Sequence, residues 1–368
     1  MTVRLRILVL TKRQYTNQDL IDDRFGRIRE IPLHLARSGY SVRGLCLSYR
    51  RRKPGVFWDE GVRWESVNAG PAIAGGWSRY VLRAMRLAAD ADIIWACSDS
   101  LFGIMAHWIG RQLGVPVVFD LYDNFESFLP ARIPVLKALY RYAVRRCDAV
   151  TVVSEALLGL TRSYGRTDAT HRIENAVDTN LFSPHDKLQC RFMFKLPQRA
   201  RIIGTAGSLC KNRGIETLFE SFQMLASKDP DVHLALAGPR DINIPAHPRI
   251  HDMGRLEYNE VPQFLSTLDV GIICNRKDAF GTYCFPQKAR EMMACNVPLV
   301  AANVEGTRGL FSNHPEWLFA PEDPVDLARV VKNRLKNNTT DYGSVSTWSD
   351  MAGHLEKIFL NLTVSRTE

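Results

Sequence analysis

Short apolar runs alternate with longer stretches whose apolar positions recur every three to four residues along almost the whole chain. RLRILVL reads as an opening strand, and RFGRIREIPLHLARSG as a helix ending near Gly39, before the strand YSVRGLCL. Three more helix-to-strand steps follow: WSRYVLRAMRLAADA to ADIIWAC, LFGIMAHWIGRQLG to VPVVFDL, and IPVLKALYRYAVRRC to DAVTVVS. These strands are continuously apolar, as strands covered on both faces are, and their alternation with helices predicts a doubly wound parallel sheet. After the polar stretch NAVDTNLFSPHDKLQC the alternation restarts with RIIGTAGSL, IETLFESFQMLASK and VHLALAG, and it runs on to DPVDLARVVKNRLKNN. The expected organisation is two Rossmann-like α/β domains, 1–185 and 190–345, with a closing segment, 346–368, whose helix packs back on the first. Paired sheets of this kind hold ligands at the carboxyl ends of their strands, in a cleft between the domains.

Composition changes this picture little. The chain has 368 residues, 46% hydrophobic and 24% charged, which suits two folded cores better than one. No apolar run approaches the roughly 20 residues that span a bilayer, and the N-terminus runs directly into a charged strand, so a cytoplasmic protein is expected. The eight cysteines form no CxxC pair and fall in or beside apolar segments, which predicts reduced, buried thiols and no zinc site. Charge is more telling. Residues 1–185 carry 26 Lys and Arg against 18 Asp and Glu, a balance of +8, whereas the rest is nearly balanced, so almost all of the overall +9 resides in the first half. An acidic partner for that half is implied: nucleic acid, an anionic membrane face or an acidic substrate. The run RRRK at 50–53 is short and no nucleic-acid-binding module is present, so nucleic acid is not expected. WSRYVLRAMRLAADA interleaves Trp77, Tyr80, Leu82 and Leu87 with Arg79, Arg83 and Arg86. RIPVLKALYRYAVRR does the same with Leu136, Leu139 and Tyr140 among Lys137, Arg141, Arg145 and Arg146. Helices of this type can lie on an anionic bilayer, which would make the protein peripheral on the inner membrane face.

Two stretches of the second half carry candidate chemistry. In TAGSLCKNRGIETLFESF a strand ends in a loop bearing Lys211 and Arg213, with Gly214 at the turn into a helix; cations at the carboxyl end of a strand neutralise phosphate oxygens. In CFPQKAREMMAC, Pro286 suits the first helical position, Lys288 reinforces the positive helix end, and Glu291 lies one turn deeper, where a carboxylate can accept the hydroxyls of a ribose. The alternative for the second stretch is a solvated pair between Lys288 and Glu291, worth only a few tenths of a kcal/mol.

Taken together and in order, VTVVSEALL, RIENAVDTNLFSP, TAGSLCKNRGIETL, LALAGP, GRLEYNEVPQFLSTLDVGI and FGTYCFPQKAREMMACNVPLVAA resemble the family 4 glycosyltransferases of the two-Rossmann, GT-B type. The resemblance implies a retaining, metal-independent enzyme without a cofactor. It would move a sugar from a nucleotide-diphosphate sugar, a UDP or GDP sugar, to a glycan or lipid-linked acceptor in cell-envelope glycan assembly. Arg213 falls where the family has its cation for the donor diphosphate, Glu291 on its ribose-binding glutamate, and Tyr283, Cys284 and Phe285 on its loop touching sugar and phosphate. Gly238 and Tyr258 lie near the nucleobase pocket, and Gly207 is the glycine after which many members place a second arginine. Here that place is Ser208, so Lys211 is expected to substitute. Eight residues before Glu291 stands Tyr283, and the nearest earlier acid is Asp278, so the family's sugar-facing acid is missing or displaced. In VVFDLYDNFES the family's active-site histidine is replaced by Tyr122, with Asp123 a candidate for orienting the acceptor hydroxyl. Two other functions fit the same folds: a nucleotide-sugar epimerase and a catalytically silent nucleotide-sugar-binding subunit.

Overall fold

The computed structural model describes residues 4–15, 18–70, 73–128, 132–340 and 342–364. The chain divides into two compact units, Met1–Glu174 with Trp348–Glu368, and Asn175–Thr347. The division falls at 174/175, ahead of the boundary between 185 and 190 expected from the sequence. The reason is local: Val177 pairs with Thr347, and Val177 and Phe182 are core residues of the second unit.

In the first unit eight strands run in the order Thr170–Arg172, Ala149–Val152, Val117–Leu121, Ile93–Ala96, Arg6–Lys12, Ser41–Ser48, Val62–Asn68 and Gly55–Asp59. All pairs are parallel except the last, an antiparallel hairpin that the apolar pattern does not reveal. The hairpin's turn residues, Glu60 and Gly61, both have positive φ, the backbone of a two-residue type I′ turn. The helix Trp348–Val364 belongs to this unit. It packs on the helix Arg27–Arg37, with the Tyr40 hydroxyl donating to Glu356 Oε1 at 2.6 Å. At the core of the unit, Arg27 Nη2 donates to Asp120 Oδ1 at 2.9 Å and the Thr151 hydroxyl to the same oxygen at 2.6 Å, with Arg27 and Asp120 fully buried. Asp120, which the sequence places beside Tyr122 at a strand end, is thus an internal strut.

In the second unit six parallel strands run in the order Ile250–Asp252, Val232–Ala237, Arg201–Ala206, Val270–Ile273, Leu299–Ala302 and Leu318–Phe319. Two apolar clusters pack against the sheet: one around Phe264, Met292 and Trp317, the other around Phe222, Leu218 and Val330. Continuous burial of Ile202–Ala206 and of Val270–Ile273 explains why these segments are strands rather than amphipathic helices. The first strand of the unit lies between its second and its fourth, so the order reverses between Arg201–Ala206 and Val270–Ile273, and the loops leaving those two carboxyl ends are where such a sheet holds ligands.

Candidate active site

The loop after Arg201–Ala206 opens with Gly207 at φ +102°, whose amide donates to the Ala237 carbonyl at 2.9 Å. Gly238, at φ +133°, lies directly against it, and a Cβ there would collide with the Gly207 carbonyl. Only glycine meets both demands, so these loops approach each other backbone to backbone. Beyond Gly207, the Ser208 hydroxyl contacts Cys210 Sγ at 2.7 Å, and a short 3-10 turn, Lys211–Arg213, leads through Gly214 into the helix Ile215–Ala226.

Arg213 is half-buried. Its guanidinium lies 4.5 Å from the centroid of the Phe280 ring, and Nη1 donates to Cys284 Sγ at 3.2 Å. Phe280 and Cys284 belong to the loop that follows the other switch-point strand, so side chains from both strand ends meet here. That loop is held as a turn: the Thr282 amide donates to the Asp278 carbonyl at 3.0 Å, and the Phe280 and Gly281 amides to the Asp278 carboxylate at 3.0 and 2.6 Å. Asp278 therefore organises backbone; that is the place of the acid nearest ahead of Glu291. Phe285 is buried, its carbonyl accepting from Asn175 Nδ2 at 3.3 Å.

The helix Gln287–Ala294 starts one residue later than the sequence suggests. Pro286 has ψ 104°, an extended conformation, and stands before the first turn instead of in it. Lys288 does not pair with Glu291 on the surface. Its Nζ reaches Thr205 Oγ1 at 3.5 Å, and a Cβ added at Gly207 would lie 3.8 Å from its Cε and Nζ. Burial, followed by the nearby Arg213 charge, pushes the Lys288 ammonium down to about 8. Glu291 accepts from Gln287 Nε2 at 3.1 Å, four residues earlier on the same helix, and burial pushes its carboxyl up to about 7 against that hydrogen bond and the Lys288 charge. Asn275, 4% exposed at the end of Val270–Ile273, has an Nδ2 with no hydrogen-bond acceptor among the described residues.

The structure thus brings Gly207, Gly238, Arg213, Cys284 and Lys288 together, with Glu291 one turn along the same helix as Lys288. Lys211 does not join them: its side chain is 70% exposed and lies 3.9 Å from Glu216. Tyr258 packs against Phe182 at 5.4 Å, on the turn Tyr258–Glu260. Tyr122 and Asp123 belong to the first unit. There the Tyr122 hydroxyl donates to the Ser98 carbonyl at 2.6 Å, burial holds its phenol well above the usual range, and Asp123 Oδ1 accepts from the Asn124 amide at 2.8 Å. Sequence reasoning missed Thr205, Phe280 and Asn275. The first two stand inside quoted motifs, TAGSL and FGTY, and Asn275 ends an apolar strand, which was the available signal.

Two Rossmann-like units, one with paired cations at the switch point of its sheet, define a protein of the two-domain α/β class. Residues 200–337 match the family described as glycosyl transferases group 1, and residues 27–176 match a second family, described as glycosyl transferase 4-like domain. The chain belongs to the group 1 glycosyltransferases. Among relatives, the putative teichuronic acid biosynthesis glycosyltransferase TuaH of Bacillus subtilis is 22% identical over 240 residues, 60% of this chain and 59% of that protein. The fold matches the sucrose-phosphate synthase of Thermosynechococcus elongatus with TM-score 0.78 at 18% identity, covering 98% of this chain and all of that one. It matches Anabaena HepE, solved in complex with UDP, with TM-score 0.71 at 17% identity, covering 99% and 100%.

Proposed function

We propose that the chain transfers a sugar from a nucleotide-diphosphate sugar, with retention at the anomeric carbon, to a glycan or lipid-linked acceptor of the cell envelope. The observation that carries this reading is the meeting of the Arg213 guanidinium, held against Phe280, with the Lys288 ammonium over Gly207. Departure of the leaving group builds negative charge on the diphosphate, and fixed cations in a partly desolvated setting stabilise that charge selectively. Lys288 takes the place that the absent second arginine would fill, a role the sequence suggests for Lys211. Glu291 binds the ribose hydroxyls, and Asn275 Nδ2 offers a further donor. The acceptor's proton passes to the departing phosphate oxygen as the new glycosidic bond forms, so no base is needed where Tyr122 stands. The name of TuaH supports an envelope acceptor, and the UDP held by HepE favours a uridine donor over a guanosine one.

A thermal-shift panel of nucleoside diphosphates and their sugars tests this. UDP at 100 times its Kd is expected to stabilise the chain by about 2.7 kcal/mol, with GDP well behind, and a panel without any shift removes the reading.

The same site predicts a pH window for UDP binding. Lys288 must be protonated, so affinity falls as pH rises through about 8; Glu291 must be ionised, so affinity falls as pH drops through about 7. Glu291→Gln should abolish the acid limb and leave the alkaline one, as titration calorimetry across pH 6 to 9 would record. The linkage in the unliganded chain has its own sign. With the Glu291 pKa raised, the folded state holds more protons between 4.5 and about 7, and stability from this group is lost as pH climbs through that interval.

A further inference from the structure

We infer that the outer face of three neighbouring helices in the first unit, Ile73–Ala88, Ser100–Leu113 and Pro134–Arg146, docks on an anionic lipid bilayer. These helices hold eight Lys and Arg and no Asp or Glu. They lie side by side: Trp77 meets Phe102 at 5.2 Å between the first and second, and His107 meets Tyr142 at 5.6 Å between the second and third.

A surface helix normally turns its charged stripe to solvent. Here Pro134–Arg146 buries Tyr140, Ala143 and Val144 and exposes Val135 (67%), Leu139 and Tyr142, spaced by four and three residues and followed by Arg145 and Arg146. Its neighbours add Leu82 (57%) and Trp108 (47%), with Arg79, Arg86 and Arg111 exposed beside them. Of the apolar residues the sequence assigns to this surface, Leu82 and Leu139 are exposed and Tyr80, Leu87 and Tyr140 are buried, while Val135, Trp108 and Tyr142 are exposed in addition.

The charges divide in the same sense. Arg83 is occupied by Glu65 at 2.6 Å, and Lys137 and Arg141 by Glu126 at 3.2 and 2.6 Å. Arg79, Arg86, Arg111 and Arg146 form no ion pair with a described residue. The apolar stripe leads to a cavity of about 360 Å³ lined by Arg145, Arg146, Gly165, Arg166, Thr167 and Asp168. Arg166 spends its guanidinium on the Val144 and Cys147 carbonyls and Arg145 Nη1 donates to the Tyr164 carbonyl at 3.4 Å, which leaves Arg146 to face a lipid phosphate. A solvated polyanion would match the arginines but would not cover Val135, Leu139 and Leu82; a bilayer interface does both. No described helix is long and apolar enough to cross a membrane, so the contact is peripheral.

Flotation of the full chain with vesicles tests this without reference to the donor. Equal parts phosphatidylglycerol and phosphatidylcholine at about 50 mM salt should carry the protein, with at least tenfold weaker partition onto pure phosphatidylcholine and marked release at about 500 mM salt, where the screening length is only a few ångströms. Two double variants, Val135→Asp with Leu139→Asp and Arg79→Glu with Arg86→Glu, should each lower partition at least tenfold while melting at the wild-type temperature. Should either variant fail to fold, quenching by brominated acyl chains in the wild type, reduced in Trp108→Phe, gives the same answer. Equal flotation on neutral vesicles, wild-type flotation of both variants, or no flotation at all overturns the inference; retention on an acidic polymer without flotation assigns the face to a polyanion instead.

Discussion

Replacing Arg213 with alanine is expected to lower kcat/KM for the nucleotide sugar by at least a hundredfold, about 2.7 kcal/mol or more of transition-state stabilisation. Its guanidinium is oriented by Phe280 on one side and by Cys284 Sγ on the other, so under the proposed function it would reach a leaving diphosphate with little reorganisation. Because the charge it faces grows as the bond to the sugar breaks, kcat should fall more than KM rises. Arg213→Lys keeps the charge but loses the planar fork, and an intermediate loss is expected. Steady-state kinetics of the three proteins decide the matter: a change within threefold for the alanine variant would mean that Arg213 carries no catalytic load.

Asp120→Ala is expected to destabilise the first unit by about 3 to 5 kcal/mol, because it leaves the fully buried Arg27 guanidinium without its carboxylate. For a unit of this size the melting temperature should drop by roughly 10 °C. Burial pushes the Asp120 carboxyl up, and the Arg27 charge and the Thr151 hydroxyl oppose that, so the pair survives only as a set. Combining Asp120→Leu with Arg27→Met removes both charges and should recover much of the loss. Urea unfolding of the single and double variants measures this directly. A single-variant loss under about 1 kcal/mol would show that Arg27 finds other compensation, such as the Ile173 carbonyl 3.1 Å from its Nη1.

How far the site could be read in advance depended on whether a residue's partner was local. Gly207 and Gly238 stand out because a tight turn after an apolar strand is a local demand. Asp278 could be read as a displaced sugar-facing acid because nothing in its neighbourhood shows that its carboxylate closes a turn on Phe280 and Gly281. The hairpin Gly55–Asp59 and Val62–Asn68 was missed for a related reason. Gly55–Asp59 is an edge strand that exposes Val56 and Trp58, and Val62–Asn68 buries only alternate residues, Val62, Trp64 and Ser66, so neither reads as the continuous apolar run of the other strands, and the Glu60–Gly61 turn marks the pair.

The sequence by itself determined the two parallel-sheet units, since strands buried on both faces must be continuously apolar and the helices between them periodic, and that signal is written residue by residue. It also determined which segments carry cations and a carboxylate beside strand ends. Only the tertiary structure decided that Lys288 turns to Thr205 and Gly207 while Lys211 stays in solvent, that Asp120 is a strut while Tyr122 is tied to Ser98, and that Leu139 and Tyr142 face outward while Tyr140 faces in. Such choices depend on contacts between residues tens of positions apart and on the burial they create, and neither quantity is a property of any local stretch of chain.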